Sequence, residues 1–185
     1  ISTCVGLGED ITYKKTFLNN HTLDNVVNHV LSNSDNNYEI RDYWPNGSDE
    51  RQFSSPGVEL PAGVLMRTPF QEFKEYHTSD DNLELVSIDL IEKMAYIYSK
   101  VLSTYESLTY PKVFTEGCET FLSKHKLYRS VGVPGHNEEE KILSWILHLA
   151  NGKNSLVDIS IKSGYNLETI KDLTNKLLKK KIIWL

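Results

Sequence analysis

The sequence predicts a mixed-sheet α/β domain followed by a small winged helix-turn-helix domain. Up to residue 110, short apolar runs bounded by Gly or polar residues alternate with stretches whose apolar residues recur at helical spacing. From residue 137 onward, three helical stretches precede a short apolar run at the end of the sequence. Gly164 separates the second and third stretches, which fits the tight turn of a helix-turn-helix.

The first domain, predicted for residues 1–110, combines four short strands with two helices. Thr22 is the predicted N-cap of the first helix. Six Pro and Gly residues between 45 and 63 forbid regular structure and predict a long shaped loop, and residues 68–82 form a second irregular loop. The predicted strands are 1–6, 11–18 (as a strand or edge segment), 38–44 and 63–67, and the helices run from Thr22 to the polar loop at 33–37 and from 83 to 108.

The second domain is predicted for residues 137–185, after a connector at 111–136 with local helix around 118–122. Asn137 is the predicted cap of a helix whose first turn holds three Glu residues, the charge that a helix N-terminus favours. That helix continues to Gly152. The remaining predicted elements are helices at 156–161 and 167–180 and a strand at 182–185.

The composition is typical of a soluble globular protein, with 39% hydrophobic and 24% charged residues among 185. No apolar run approaches the ~20 residues of a membrane span, and no signal-peptide pattern opens the sequence. Cys4 and Cys118 are far apart and form no metal or redox motif, so we expect a cytoplasmic protein. The net charge of −5 argues against nucleic-acid binding by the whole chain. Because Ile1 is not Met and begins a strand-like run, we expect a piece of a longer protein.

Two loops carry the residues that suggest chemistry. The loop at 45–63 offers Asp49 and Glu50, and the loop at 68–82 offers His77 among carboxylates. Each loop follows a predicted strand, and ligands of open α/β sheets bind outside the carboxyl ends of the strands. A His beside carboxylates suits zinc, because a carboxylate on the second ring nitrogen orients the imidazole. The alternative is that a single loop His beside acids is a solvated surface residue.

The segments Ser48-Asp-Glu-Arg-Gln-Phe53 and Tyr76-His-Thr-Ser-Asp-Asp81 resemble the last part of the co-catalytic zinc aminopeptidase family. The match is closer to a bacterial branch that has Gly-Ser-Asp-Glu-Arg-Gln and a C-terminal winged helix, and that is often associated with surface-polysaccharide gene clusters. The resemblance implies that residues 1–110 are the C-terminal part of a zinc-peptidase-like domain. It covers nearly the whole chain, and residues 47–82 are its specific part.

The resemblance assigns a role to each site residue. His77 corresponds to the last zinc ligand, and Asp49 lies at or beside the site. Glu50 replaces the usual His and is a candidate for contact with a substrate α-amine, for an extra ligand, or for the local base. Ser48 and Asp81 are candidates for residues that support the loops. Arg51 is a candidate partner of a substrate carboxylate, or else of a neighbouring acid. Tyr76 is a candidate substrate-orienting ring, or else a ring packed under the loop.

The sequence departs from the family pattern at the first ligands. The segments that supply the first His, a bridging Asp and the catalytic Glu are absent and would lie before Ile1. Thr3 occupies the place of a ligand Asp, and Thr is a poor zinc ligand, so of one or two zinc ions, one is favoured.

Three functions follow as expectations. The first is hydrolysis of a peptide or amide substrate by a zinc-activated water. The second is a decayed, peptidase-like binding or scaffold protein of surface-polysaccharide metabolism. The third is a winged-helix DNA-binding regulator, which is disfavoured because the third helix contains no Arg, the residue that most often reads bases. A structural or protein-contact role for the winged helix is preferred, including a homo-oligomer, and no membrane partner is expected.

Overall fold

The computed structural model of the chain describes residues 1–115, 117–127 and 137–185. It divides into two units, Ile1–Glu106 and Ser107–Leu185. Residues 116 and 128–136 of the predicted connector lie outside the described residues. Within the described ranges, no helix is long and apolar enough to cross a membrane.

Three short strands form the sheet of the first unit: β1 (Ile11–Lys14), β2 (Tyr38–Arg41) and β3 (Val64–Met66). Strand β1 lies in the centre, parallel to β2 and antiparallel to β3. All four β1 side chains are buried, so β1 is a central strand rather than an edge segment.

The apolar start of the chain does not form the predicted strand at residues 1–6. It lies beside β3 through an isolated parallel bridge between Ser2 and Leu65. Backbone N–H groups of Leu65 and Arg67 donate to the carbonyls of Ile1 and Cys4. Cys4 has a φ of 47°, which departs from strand geometry and interrupts the regular pairing, although Thr68 N–H still donates to the Leu7 carbonyl.

Three helices belong to the first unit: α1 (Thr22–Ser32), α2 (Glu50–Phe53) and α3 (Ile88–Glu106). The N-cap of α1 is His21 rather than Thr22, with a reciprocal capping box between His21 and Asp24. Helix α2 is a single turn inside the loop that was expected to lack regular structure. Helix α3 starts five residues later than predicted, because Asn82 holds the preceding residues in turns through bonds to Glu84 and Leu85.

The second unit is a winged helix, as the sequence predicts. Its elements are β4 (Lys112–Val113), α4 (Glu138–Leu149), α5 (Leu156–Ser163), α6 (Leu167–Lys179) and β5 (Ile183–Trp184), with a short 3₁₀ helix at Leu122–His125. Strands β4 and β5 pair antiparallel. Asn137 and Ser155 each form a capping box, and Gly164 ends α5 with a φ of 75° that a side chain would strain. The local helix expected at 118–122 appears instead as the 3₁₀ turn, and β4 is an addition to the predicted elements.

Candidate functional site

The two loops that carry the predicted site residues leave the sheet at opposite ends. Each loop follows a strand, as expected, but β3 runs antiparallel to β1, while β2 runs parallel to it. Beyond the end of β3, Arg67 contacts the carbonyls of Gly8 and Glu9, which precede β1. The loop at 45–63, in contrast, follows the end of β2, where Arg41 is paired with Lys14.

An ion pair joins the second loop to β2. Both terminal nitrogens of Arg41 contact Glu72, one of them at 3.2 Å, and Arg41 also contacts Glu39 at 2.8 Å. The adjacent carboxylates raise the pKa of the Arg41 guanidinium, and Arg41 in turn lowers the pKa of the Glu39 carboxyl. Loop 68–82 is therefore anchored to β2 through Glu72 before it reaches His77.

Glu50 forms a fully buried ion pair with Lys14. Lys14 Nζ lies 2.7 Å from Glu50 Oε1, and both side chains have 0% exposure. Lys14 Nζ also donates to the Asn46 carbonyl at 2.8 Å and lies over the rings of Trp44 and Tyr43, at 4.3 and 5.0 Å from their centroids. Sequence reasoning identified Glu50 but missed Lys14, which is a single cation in an otherwise ordinary strand.

The second oxygen of Glu50 is buried and has no hydrogen-bond partner among the described residues. The first oxygen is confined by Gly47, where an added Cβ would lie 2.0 Å from Oε1 and 2.9 Å from Lys14 Nζ. Glu50 is thus a fixed carboxylate with one committed oxygen and one oxygen still able to accept a hydrogen bond.

The neighbours of Glu50 are arranged around the first turn of α2. Asp49 occupies the N-cap position and is exposed, but its side chain makes no capping hydrogen bond. Arg51 is exposed and folds back onto its own loop, where Nε donates to the carbonyl of half-buried Ser48 at 3.3 Å. The alternative partner considered for Arg51, a neighbouring acid, is not observed in the described ranges.

His77 presents an exposed imidazole from a strained backbone position. Its φ is 60°, in the left-handed region that few residues other than Gly adopt. The ring stacks on Tyr76 with centroids 4.0 Å apart, and it has no hydrogen-bond partner in the described part of the chain. Tyr76 itself is half-buried and contacts the rings of Phe73 and Phe70, so it packs under the loop.

Local hydrogen bonds hold the loop around His77. The Thr78 hydroxyl donates to the Glu75 carbonyl at 2.8 Å and accepts from the Asp80 N–H at 3.2 Å. Asn82 donates to the Asp80 carbonyl at 3.0 Å. Asp81 was expected to support the loop, but its carboxylate is exposed and the loop is held by the side chains of Thr78 and Asn82 instead.

The described residues do not assemble a metal site. No hydrogen bond or ion pair joins the segment 48–51 to the segment 76–81 in the ranges that the structure describes, and no group of three or more His, Cys, Asp or Glu could hold a metal there. Thr3 is half-buried, with its hydroxyl 3.6 Å from Cys4 Sγ. An exposed and unpartnered imidazole fits the role of one zinc ligand, and any further ligands come from outside this set.

Comparison with known proteins agrees with this architecture. A protein of Clostridium acetobutylicum, provisionally named as a polysaccharide biosynthesis protein with an aminopeptidase-like domain, is 37% identical over 99% of this chain and 42% of its own length. A crystal structure from Clostridium acetobutylicum, provisionally titled a peptidase, is 35% identical with a TM-score of 0.76, and the match covers all of this chain and 40% of that one. The chain therefore spans about two fifths of the length of these relatives.

Residues 109–184 match a family model described as a winged helix-turn-helix. The fold and the relatives together define a peptidase-like protein with a winged helix in its last part. Residues 1–107 match the model of a family described as a domain of unknown function, DUF4910, and the chain belongs to that family.

Proposed function

We propose that this chain is part of a zinc-dependent, aminopeptidase-like hydrolase that cleaves a peptide or amide bond, with His77 as one zinc ligand. The observation that carries the proposal is the imidazole of His77, which is exposed, stacked on Tyr76 and free of intramolecular hydrogen bonds within the described ranges. The names of two relatives that match the whole chain, one aminopeptidase-like and one peptidase, support the same class of reaction.

The residues of this chain would position the His77 imidazole and the substrate. Zinc, when bound, polarises a carbonyl and lowers the pKa of a bound water to about 7. Tyr76 fixes the plane of the His77 ring, and Phe73 supports Tyr76 at 5.5 Å between ring centroids. Glu50 is fully buried and would therefore hold the turn that carries Asp49 and Arg51, with Lys14 fixing Oε1, rather than contact the substrate itself. Asp49 and Arg51 are exposed at the same turn and would contact the substrate from solvent.

We expect the remaining zinc ligands and the general base of the reaction to come from regions that the longer relatives have and that this chain does not match. Both relatives extend well beyond the matched region. Thr3 stands where the resembling family has a ligand Asp, and a neutral hydroxyl is a weak zinc ligand. One zinc ion is therefore proposed rather than two. We also propose that the protein is cytoplasmic.

Zinc removal and restoration test the proposed reaction. The experiment uses a form of the protein as long as its relatives. Its metal is removed with a chelator, its hydrolysis of aminoacyl amides is measured, and the measurement is repeated after zinc is added back. Turnover that disappears and returns with zinc supports the proposal. Turnover that persists without metal, or that is equally fast in a His77→Ala variant, contradicts it.

A second candidate is a decayed peptidase-like protein that binds or scaffolds in surface-polysaccharide metabolism. Thr3 at the ligand position favours it, as does the polysaccharide biosynthesis name of one relative. The two candidates differ in metal content, because a decayed site leaves the purified protein without stoichiometric zinc.

The winged helix is proposed as a protein-contact module, either within the parent protein or between copies of it. Two lysines of α6 are already paired with acids: Lys171 with Glu168 at 2.9 Å, and Lys176 with Glu139. These pairs reduce the positive charge that α6 could offer to a phosphate backbone.

A further inference from the structure

We propose that Asn46 is a site of spontaneous deamidation, in which the Asn46-Gly47 step passes through a cyclic imide to an aspartyl or isoaspartyl linkage. Asn-Gly occurs twice in the sequence, at Asn46-Gly47 and at Asn151-Gly152. Glycine favours this reaction because it has no side chain to hinder its nitrogen as that nitrogen approaches the Asn carboxamide. The surroundings of the two steps differ, and the difference selects Asn46. The reaction needs only water, so this inference does not depend on zinc at His77.

Hydrogen bonds hold both reacting groups of the Asn151-Gly152 step. Asn151 Oδ1 accepts from the backbone N–H groups of Lys153 and Asn154 at 2.9 and 3.1 Å, and from Asn154 Nδ2 at 3.1 Å. The Gly152 N–H donates to the Pro111 carbonyl at 3.0 Å. The attacking nitrogen and the carboxamide that it must reach are therefore both engaged by other partners, which slows the reaction at Asn151.

The Asn46-Gly47 step has neither of these restraints. Asn46 is exposed, and its carboxamide makes no hydrogen bond to any residue that the structure describes. The N–H of half-buried Gly47 likewise donates to no acceptor in the described ranges. The carboxamide can therefore turn toward the Gly47 nitrogen without breaking a contact.

Lys14 makes the Gly47 N–H more reactive. Its Nζ donates to the main-chain carbonyl of Asn46 at 2.8 Å. That carbonyl belongs to the same peptide unit as the Gly47 nitrogen, so the negative charge that forms when the nitrogen loses its proton is shared with the carbonyl oxygen. A cation bound to the oxygen stabilises this charge, because a nearby opposite charge favours an ionised form. Lys14 has 0% exposure, so solvent ions screen its charge little.

The reaction balances with water as the only co-reactant. The Gly47 nitrogen forms a bond to Cγ of Asn46, the Cγ–Nδ2 bond breaks, and ammonia leaves with the amide proton. Water then opens the cyclic imide at one of its two carbonyl carbons. Opening at Cγ leaves an aspartyl residue at position 46. Opening at the main-chain carbon leaves an isoaspartyl residue, whose free carboxylate carries the oxygen that Lys14 contacts.

The isoaspartyl product disturbs the loop around Glu50. Its main chain is longer by one carbon between positions 46 and 47. Gly47 has no room for an added carbon, because a Cβ there would lie 2.0 Å from Glu50 Oε1 and 2.9 Å from Lys14 Nζ. The reaction therefore displaces the buried ion pair and, with it, the turn that carries Asp49 and Arg51.

Peptide mapping of the purified protein after storage in mildly alkaline buffer tests the site. Trypsin releases residues 42–51 and 142–153, and each peptide contains one Asn and no Gln, so the mass gained on deamidation identifies the residue. In folded protein, Asn46 is expected to react about tenfold faster or more than Asn151, because the Gly152 N–H must first give up its hydrogen bond. In concentrated urea, where both environments are lost, the two residues are expected to react at similar rates.

Asn46→Gln is the matched variant. It keeps the carboxamide and the main-chain carbonyl that Lys14 contacts, but a larger ring must close, so peptide 42–51 is expected to gain no mass. The urea midpoint of this variant is expected to stay constant on storage, whereas that of the unchanged protein falls as the isoaspartyl product accumulates.

The rates in the unchanged protein decide the matter even where Asn46→Gln fails to fold. Equal rates at the two residues in folded protein, or a faster reaction at Asn151, overturn the proposal. A preference for Asn46 that persists in urea also overturns it, because the local sequence and not the folded structure would then be its cause.

Discussion

Lys14 Nζ and Glu50 Oε1 lie 2.7 Å apart with no solvent access to either side chain. The pair joins the central strand β1 to the single turn α2, two elements that are 36 positions apart in sequence. Because each charge is costly to bury alone, the pair fixes the position of the loop that follows β2. Glu50 is thereby held at one defined place beside the exposed residues Asp49 and Arg51.

Lys14→Met is expected to lower the free energy of unfolding by about 3 kcal/mol or more, because it leaves the Glu50 carboxylate buried without a counter-charge. Lys15→Met is the matched control. Lys15 pairs with Asp42 on the surface at 2.8 Å, and exposed pairs contribute less than about 1 kcal/mol. Urea unfolding of both variants measures the difference. Equal losses in the two variants would show that the buried pair has no special role.

The unfolding free energy is expected to fall between pH ~10 and pH ~12. Burial, followed by the charge and the hydrogen bond of Asp24, raises the pKa of Tyr13, and burial raises the pKa of Tyr98 to about 12. In the unfolded chain these phenols lose their protons near pH ~10, so the unfolded state binds fewer protons above that pH and is favoured. Below pH ~10 the contribution of both groups is fully present.

Tyr98→Phe checks that origin. The variant loses hydrogen bonds to the carbonyls of Ile1 and Leu65 and is expected to be less stable at neutral pH. Its stability should nevertheless decline less steeply with rising pH, since one of the two shifted phenols is gone. Tyr96→Phe, on the exposed side of the same helix, is the control. An unchanged slope in Tyr98→Phe refutes the assignment.

The sequence predicted the elements whose structure depends on neighbouring residues. It predicted less well the elements whose arrangement depends on contacts with distant parts of the chain. Helical spacing and caps such as Asn137 located the three helices of the winged helix. The direction of β3 was not predicted, because a run of three apolar residues carries no information about its partner strand. One signal was available: parallel neighbours need a crossover that is usually helical, and the segment between β2 and β3 is rich in Pro and Gly.

The sequence predicted which residues belong to the candidate site but not how they are arranged. The sequence indicated Glu50 and His77, but nothing local to Lys14 reveals that the loop after β2 buries it against Glu50. The burial of Arg67 was equally hidden, because the backbone carbonyls that it contacts belong to Gly8 and Glu9, far away in the sequence. Such long-range pairings depend on how loops fold over both faces of the sheet.

The purified 185-residue chain is expected to hydrolyse no aminoacyl amide or peptide, with or without added zinc. The described residues contain no group of three metal ligands, and His77 alone does not hold an ion firmly. The measurement is turnover of a chromogenic aminoacyl substrate at high protein concentration. Turnover that His77→Ala abolishes would show that this chain carries a complete site.

The winged helix is expected to bind DNA weakly and without sequence preference. The pairs of Lys171 and Lys176 with acids leave few free cations on α6, and a DNA reader of this fold depends on that helix. Fluorescence anisotropy with a random duplex at several salt concentrations measures the affinity. Tight binding at physiological salt, falling steeply as salt rises, would instead favour a DNA-binding regulator.

The zinc content of the protein at the length of its relatives tests the central claim most directly. His77→Ala is compared with His148→Ala, which removes an exposed His from the winged helix. The account predicts that His77→Ala loses at least one equivalent of zinc, while His148→Ala keeps the content of the unchanged protein. Equal zinc content in the unchanged protein and in His77→Ala would contradict it.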